Sequence, residues 1–272
     1  MKIAFIGGGN MASALIAGLA GTLVAGTDVH VVDPSADALA RLAAHYGAST
    51  ATSIDAAVAA CDVVVLSVKP QQMRDVAAAL APHLAASQPL VLSIAAGIRG
   101  ADLARWLGGY AAIVRTMPNT PALIGRGITG MVAMAGVSAA QRDAADAVMK
   151  AVGATVWLDD EALIDPVTAV SGSGPAYVFF FIEAMQQAAE EMGLTAEQGR
   201  QLALATFTGA AELAAQSSDA VDVLRARVTS KGGTTYAAIT SMEQAGVKQA
   251  IVTAMKAAAA RGREMGDELG AA

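Results

Sequence analysis

Cysteine, histidine and long apolar runs are scarce in this chain. A single cysteine, Cys61, in 272 residues excludes an internal disulfide framework and suits a reducing, cytoplasmic setting. The three histidines, His30, His45 and His83, are scattered without metal-ligand spacing, so no metal site is expected. No uninterrupted run of about 20 apolar residues occurs, and no membrane span is expected. A signal peptide is not expected either. Lys2 is followed by an apolar, alanine-rich stretch, but "GGGN" at Gly7 to Asn10 breaks it where a signal core is continuous. Charged residues make up only 15 % of the chain, and the formal net charge is −6. That balance argues against nucleic acid as a partner.

What is present is a globular composition, 54 % hydrophobic, at a length that is long for one core and comfortable for two domains. Up to about Asp165 the chain alternates strand and helix signals. Lys2 to Ile6 is a short apolar run ending in glycines, and Asn10 to Ala20 carries helical spacing through Leu15, Ile16 and Leu19. Further strands are expected at Asp28 to Val32, Asp62 to Val68, Pro89 to Ile94 and Ala111 to Thr116. "ITGMVAM" and "ATVWL" flank a helix at Ser138 to Val152. "DVVVLSV" is β-branched on both faces, as a parallel strand covered by helices on two sides must be. The alternation implies an α/β fold, a Rossmann-type doubly wound sheet.

After Asp165 strand signals fade and helical spacing takes over at Pro175 to Met192, Ala196 to Gln216 and Val247 to Leu269. Two domains are therefore expected: residues 1–162 as a dinucleotide-binding domain and residues 163–272 as an all-helical one. The many apolar faces in the helical part imply that a second subunit buries them, so a homo-oligomer is expected.

"GGGNMA" fits G-x-G-x-x-A between a strand and a helix. Gly7 permits the tight turn, Gly9 leaves room for a pyrophosphate, and Ala12 lets helix and strand pack closely. The helix N-terminus offers free N–H groups to phosphates. Asp33 ends the second strand, where an adenosine ribose lies. Its carboxylate suits a 2′-hydroxyl and repels a 2′-phosphate, which leans towards NADH. Ser35 with a loop N–H is an alternative that suits NADPH, and both cofactors stay open. "SVKP" (Ser67 to Pro70) and "AAG" (Ala95 to Gly97) follow strands, at the end of the sheet where such folds bind ligands.

"VTSKGGTT", Val228 to Thr235, stands in otherwise alanine-rich helix. It reads either as an anion-binding glycine turn opening a helix or as an ordinary capped helix–helix turn. "SGSGPAY" (Ser171 to Tyr177) reads mainly as a helix start, with Ser173 or Gly174 as cap and Pro175 in the first turn.

Together "FIGGGNMA", "VVVLSVKPQ", "SIAAG", "RTMPNTPALIGRG", "AVSGSGPAY" and "VTSKGGTT" resemble the pyrroline-5-carboxylate reductases, which make L-proline with NADPH or NADH. The resemblance runs from Phe5 to Thr235. It implies a Rossmann domain followed by a helical dimerisation domain, and dimers that assemble further, often into decamers. It also implies that Ile6, Gly7, Gly8, Gly9, Asn10, Met11, Val68, Lys69, Pro70, Ala95, Ala96 and Gly97 line the cofactor, with Asn119 near the nicotinamide end. Gly232, Gly233, Thr234 and Thr235 would hold the substrate, and Glu161 would lie near its ring. Under this resemblance "VTSKGGTT" is a clamp for the carboxylate of a cyclic imine. Thr235 is then one candidate proton source, beside water and the substrate itself. Two rivals are a β-hydroxyacid dehydrogenase-like reductase, which wants a helical lysine in the second domain, and a non-catalytic NAD(P)-binding sensor.

Overall fold

The computed structural model describes residues 1–271. The chain divides into two compact units: Met1–Ser173 together with the segment from Ala257 onward, and Gly174–Lys256.

In the first unit the expected doubly wound sheet is present. Its strands are β1 (Ile3–Ile6), β2 (Val29–Val32), β3 (Ser49–Ala51), β4 (Val63–Leu66), β5 (Leu90–Ser93), β6 (Ile113–Met117), β7 (Gly127–Ala133) and β8 (Gly153–Trp157). The order across the sheet is β3-β2-β1-β4-β5-β6-β7-β8. Strands β3 to β6 run parallel with in-step registers such as Ile3 beside both Val29 and Val63. β7 is antiparallel to β6, and β8 is parallel to β7. The order reverses between β1 and β4, which opens a crevice at the carboxyl ends of those strands.

Helices α1 (Asn10–Leu19), α2 (Ala36–Tyr46), α3 (Ala56–Ala59), α4 (Met73–Leu84), α5 (Gly100–Trp106), α6 (Ala139–Lys150) and α7 (Ile164–Val167) accompany the sheet. Successive strand residues point to opposite faces, so the apolar runs divide into two cores. Ile3, Phe5, Val29, Val31, Val63 and Val65 meet Leu15, Ile16 and Leu19 of α1 and Val148 and Met149 of α6. Ala4, Ile6, Val64, Leu66 and Val91 meet Met73, Ala77 and Leu80 of α4 and Leu103 of α5. Every residue of β1, β2, β4 and β5 is buried, which is why these segments read as continuous apolar strands.

The second unit holds α8 (Gly174–Glu191), α9 (Ala196–Gln216), α10 (Val221–Arg227) and α11 (Thr234–Gln244). Gly193, at φ 95°, turns the chain between α8 and α9. Thr195 starts α9 with a capping box, in which its Oγ1 accepts the Gln198 N–H while the Gln198 side chain accepts the Thr195 N–H. This unit buries few apolar side chains, and Phe179, Phe180, Leu202 and Leu213 are exposed. The last helix, α12 (Val247–Gly270), begins in the second unit and ends in the first. No helix among the described residues is long and apolar enough to cross a membrane.

The "SGSGPAY" stretch differs from the expected helix start. Ser173 is in the right-handed helical region, not the extended conformation an N-cap takes. Thr168–Gly172 instead forms a π-helical turn, closed by the Ser173 N–H on Thr168 O at 2.8 Å. The bulge accommodates Gly172 against Met117, whose Cε lies 2.6 Å from where a Cβ on residue 172 would stand. Such turns recur at functional sites. Pro175 lies in the first turn of α8, as its missing N–H allows.

Candidate nucleotide and anion sites

β1 delivers the chain into Gly7 at φ 104°, a left-handed conformation. A Cβ there would also stand 2.6 Å from Ser67 O, so the close approach of the β1 and β4 ends demands glycine. Gly9, at the N-cap of α1, has no atom within 4 Å of its would-be Cβ, and no side chain caps the helix. The first N–H groups of α1 therefore have no side-chain acceptor, and the positive end of the helix lies behind them. That is the cradle a pyrophosphate requires. Asn10 and Met11 form the opening turn of this helix.

Beside the cradle lies a cavity of about 400 Å³ lined by Ile6, Gly7, Val32, Pro34, Thr52, Ser53, Ile54, Val68, Asp75, Val76 and Ala79. It is mainly apolar, as a flat heterocycle needs. The cavity gathers Ile6, Gly7 and Val68 of the expected cofactor residues. Thr52, Ser53 and Ile54 were not legible in the sequence, because the strand before them, β3, is only three residues long and partly exposed. Asp75 and Val76 were hidden within an unremarkable amphipathic helix. Lys69 and Pro70 open the turn that leads into α4, Pro70 at a first helical position.

Asp33 is more engaged than a free ribose acceptor. Gly8 N–H donates to its Oδ2 at 2.7 Å and Ser35 N–H to its Oδ1 at 2.8 Å. The carboxylate thus ties the fingerprint loop to the start of α2, while Ser35 Oγ accepts the Ala38 N–H as the α2 cap. These residues fit a dinucleotide: an open cradle, a fixed acidic group and an apolar slot, all at the crevice.

After β5, Ala95 is buried, Ala96 half-buried, and Gly97 stands at φ 72°. Asn119 is buried with both ends of its amide occupied: Nδ2 donates to Ser171 O at 3.2 Å, and Oδ1 accepts the Ile128 N–H at 3.0 Å. Glu161 Oε1 accepts the Gly100 N–H at 2.6 Å and a bond from the buried Arg115 Nη1 at 2.9 Å.

In the second unit, "VTSKGGTT" joins α10 to α11. Gly232 stands at φ 76° and Gly233 is the N-cap of α11, again with no side chain capping it. Gly233 N–H closes the turn on Ser230 O at 3.0 Å. Thr234 and Thr235 are exposed in the first turn of the helix. Consecutive N–H groups and two hydroxyls are thus presented at a positive helix end, a set suited to a carboxylate.

Two family profiles match the chain: one described as pyrroline-5-carboxylate reductase dimerisation, over residues 161–265, and one described as NADP oxidoreductase coenzyme F420-dependent, over residues 2–97. A pyrroline-5-carboxylate reductase of Pseudomonas aeruginosa is 49 % identical over 269 residues, which cover 99 % of this chain and 98 % of that one. Among solved structures, a pyrroline-5-carboxylate reductase from Coxiella burnetii superposes with a TM-score of 0.91 at 39 % identity, covering 97 % of this chain and 98 % of its own. The Plasmodium falciparum pyrroline carboxylate reductase with NADP bound gives a TM-score of 0.87 at 30 % identity, covering 98 % of each chain.

Proposed function

The chain belongs to the pyrroline-5-carboxylate reductase family, and from that premise we propose that it transfers hydride from NAD(P)H to the C=N carbon of 1-pyrroline-5-carboxylate, giving L-proline. The observation that carries this reading is a pair of uncapped helix N-termini behind glycine turns: α1 after Gly9 in the first unit and α11 after Gly233 in the second. Each suits an anion, and the reaction joins two anionic ligands, a dinucleotide and a carboxylate-bearing imine.

When bound, the reduced nicotinamide supplies the hydride. In this reading the α1 N-terminus takes the pyrophosphate and the loops at Val68 to Pro70 and Ala95 to Gly97 line the cofactor, with Asn119 towards its nicotinamide end. Gly232, Gly233, Thr234 and Thr235 take the imine carboxylate through N–H and hydroxyl donors. A protonated imine is the better hydride acceptor, so its nitrogen carries a proton at transfer. Water, the arriving substrate or the Thr235 hydroxyl supplies that proton. Positioning, more than acid catalysis, then supplies most of the rate. Glu161, which accepts from Gly100 and Arg115 through Oε1, is assigned a place near the substrate ring, where its carboxylate would stabilise the cationic nitrogen.

Self-association goes with the dimerisation region and with the exposed Phe179, Phe180, Leu202 and Leu213. The proposed assembly unit is a homodimer, with dimers joining up to a decamer, in the cytoplasm. The hydroxyacid dehydrogenase reading wants a helical lysine in the second domain. Lys231 sits in the exposed turn before α11, whereas Lys248 and Lys256 lie on α12, so it is the choice of substrate that separates the two readings.

The deciding measurement follows the loss of NADH or NADPH absorbance with pyrroline-5-carboxylate and, separately, its gain when NAD+ or NADP+ is supplied with 3-hydroxy acids. Folded protein that leaves the cofactor unoxidised in the presence of the imine overturns the proposal.

A further inference from the structure

The segment between β5 and α5 is held from outside the sheet by the end of α12. A Cβ on Gly97 would stand 3.1 Å from Met265 Cβ and 3.3 Å from Leu269 Cδ1. The guanidinium of Arg99 lies against the backbone of Gly266, whose would-be Cβ stands 2.9 Å from Arg99 Nε. Arg99 Nη2 donates to Asp267 Oδ1 at 2.6 Å and to Arg263 O at 3.3 Å. One turn later Arg105 Nη2 donates to Gly270 O at 2.7 Å. Gly262, Gly266 and Gly270 recur every fourth residue on α12 and so share one helix face. Side chains of Asp165, Arg99 and Asp102 respectively lie against them. The glycines are therefore not idle breaks in a helix. They bring the α12 backbone close enough for polar side chains of the first unit to lie flat on it.

We propose that the last turns of α12 are a clasp that sets the Ala95–Gly97 loop for the cofactor, with Arg99 and Gly266 as its positioning residues. The inference rests on the reading of that loop as cofactor-lining. Gly97, a left-handed glycine, is packed closely by Met265 and Leu269. Two residues on, Arg99 is fixed by Asp267, and Gly100 N–H is fixed by Glu161. The loop is thus pinned at three successive points, two of which belong to a helix that begins in the other unit. Such outside support keeps a binding loop within the sub-ångström placement that ligand geometry requires.

The test uses the full chain carrying Gly266→Leu. Leucine is the stronger helix former, so the helix itself is not weakened, yet its side chain displaces the Arg99 guanidinium. NADPH and NADH affinities are read by direct fluorescence titration without imine, alongside both KM values and thermal midpoints. The expected result is a cofactor Kd raised roughly 3- to 10-fold, with the imine KM within about 2-fold, in protein whose midpoint stays above the assay temperature. An unchanged cofactor Kd in folded protein, or an imine KM that rises as much, overturns the clasp. Should this variant not fold, Asp267→Asn decides, with an expected cofactor Kd raised about 2-fold and an unchanged Kd overturning the idea. Wild-type protein that binds the cofactor but does not turn over the imine rejects the catalytic reading alone. Wild-type protein that binds no cofactor rejects both.

Discussion

The carboxylate of Asp33 holds the Gly8 N–H at 2.7 Å with one oxygen and the Ser35 N–H at 2.8 Å with the other. An acid at the end of the second strand is usually read as a selector between a ribose hydroxyl and a 2′-phosphate. Here it is also a strut between the fingerprint loop and α2. Asp33→Ala is therefore expected to weaken NADH and NADPH binding together, by about 10-fold, since charge-assisted backbone hydrogen bonds are lost in either case. Direct titration with both cofactors checks this. A variant that merely exchanges NADH affinity for NADPH affinity would show that selection, not support, is the role of Asp33.

Thr235 stands in the first, uncapped turn of α11. Thr235→Ala removes one hydroxyl donor and leaves the backbone N–H groups in place. The imine KM is expected to rise about 10-fold, while the NAD(P)H KM stays within about 2-fold. Thr235→Ser, which keeps the hydroxyl, is expected to recover most of the loss. Steady-state kinetics at saturating cofactor give the comparison, and an imine KM that does not move removes Thr235 from the anion site.

The first unit was legible because its chemistry is local. β1, β2, β4 and β5 are buried on both faces, so their apolar runs are uninterrupted, and Gly7 and Gly9 sit where strand meets helix. Short β3, with Ser49 and Thr50 exposed, carried no such signal, and with it the Thr52 and Ser53 wall of the cavity was hidden. α10 was unread for a similar reason, being seven residues long and without a buried side chain.

The return of α12 to the first unit was illegible for a different reason. Gly262, Gly266 and Gly270 read as weak helix residues, and nothing local says that Arg99, some 170 positions earlier, lies on them. Glu161 illustrates the same limit. Its bonds to Gly100 and Arg115, 61 and 46 positions away, join segments that nothing local connects. Contacts between distant segments leave no periodicity to read.

Arg115 is buried on β6, and Glu161 is its salt-bridge partner at 2.9 Å. Removing the carboxylate leaves a buried cation and the Gly100 N–H without their acceptor. Glu161→Ala is expected to cost about 2–4 kcal/mol of stability, because breaking such a pair from one side exposes the full desolvation penalty. Glu161→Gln, which keeps an acceptor for one donor, is expected to cost about half as much. Urea unfolding of the two variants checks the order, and equal, small losses would show that Arg115 finds another partner.

Cys61 is buried, and desolvation, reinforced by the nearby Asp62 charge, pushes its thiol up from 9.0 to about 11. The unfolded chain releases this proton first as pH rises. Between pH 9 and about 11 the native state thus binds more protons than the unfolded one. Stability contributed by the neutral thiol is present in full below pH 9 and declines through this window. The slope has a ceiling of about 1.4 kcal/mol per pH unit. Other groups titrate there too, so the informative quantity is the difference between wild type and Cys61→Ala. The substitution is expected to lower stability at pH 8, through lost packing, and to flatten the decline from pH 9 to 10.5. Urea midpoints across that range give both numbers. The same burial predicts that thiol reagents label the native protein slowly at pH 8 and the urea-unfolded chain at once. Fast native labelling, or parallel pH profiles for the two proteins, would mean that the thiol is neither shielded nor shifted.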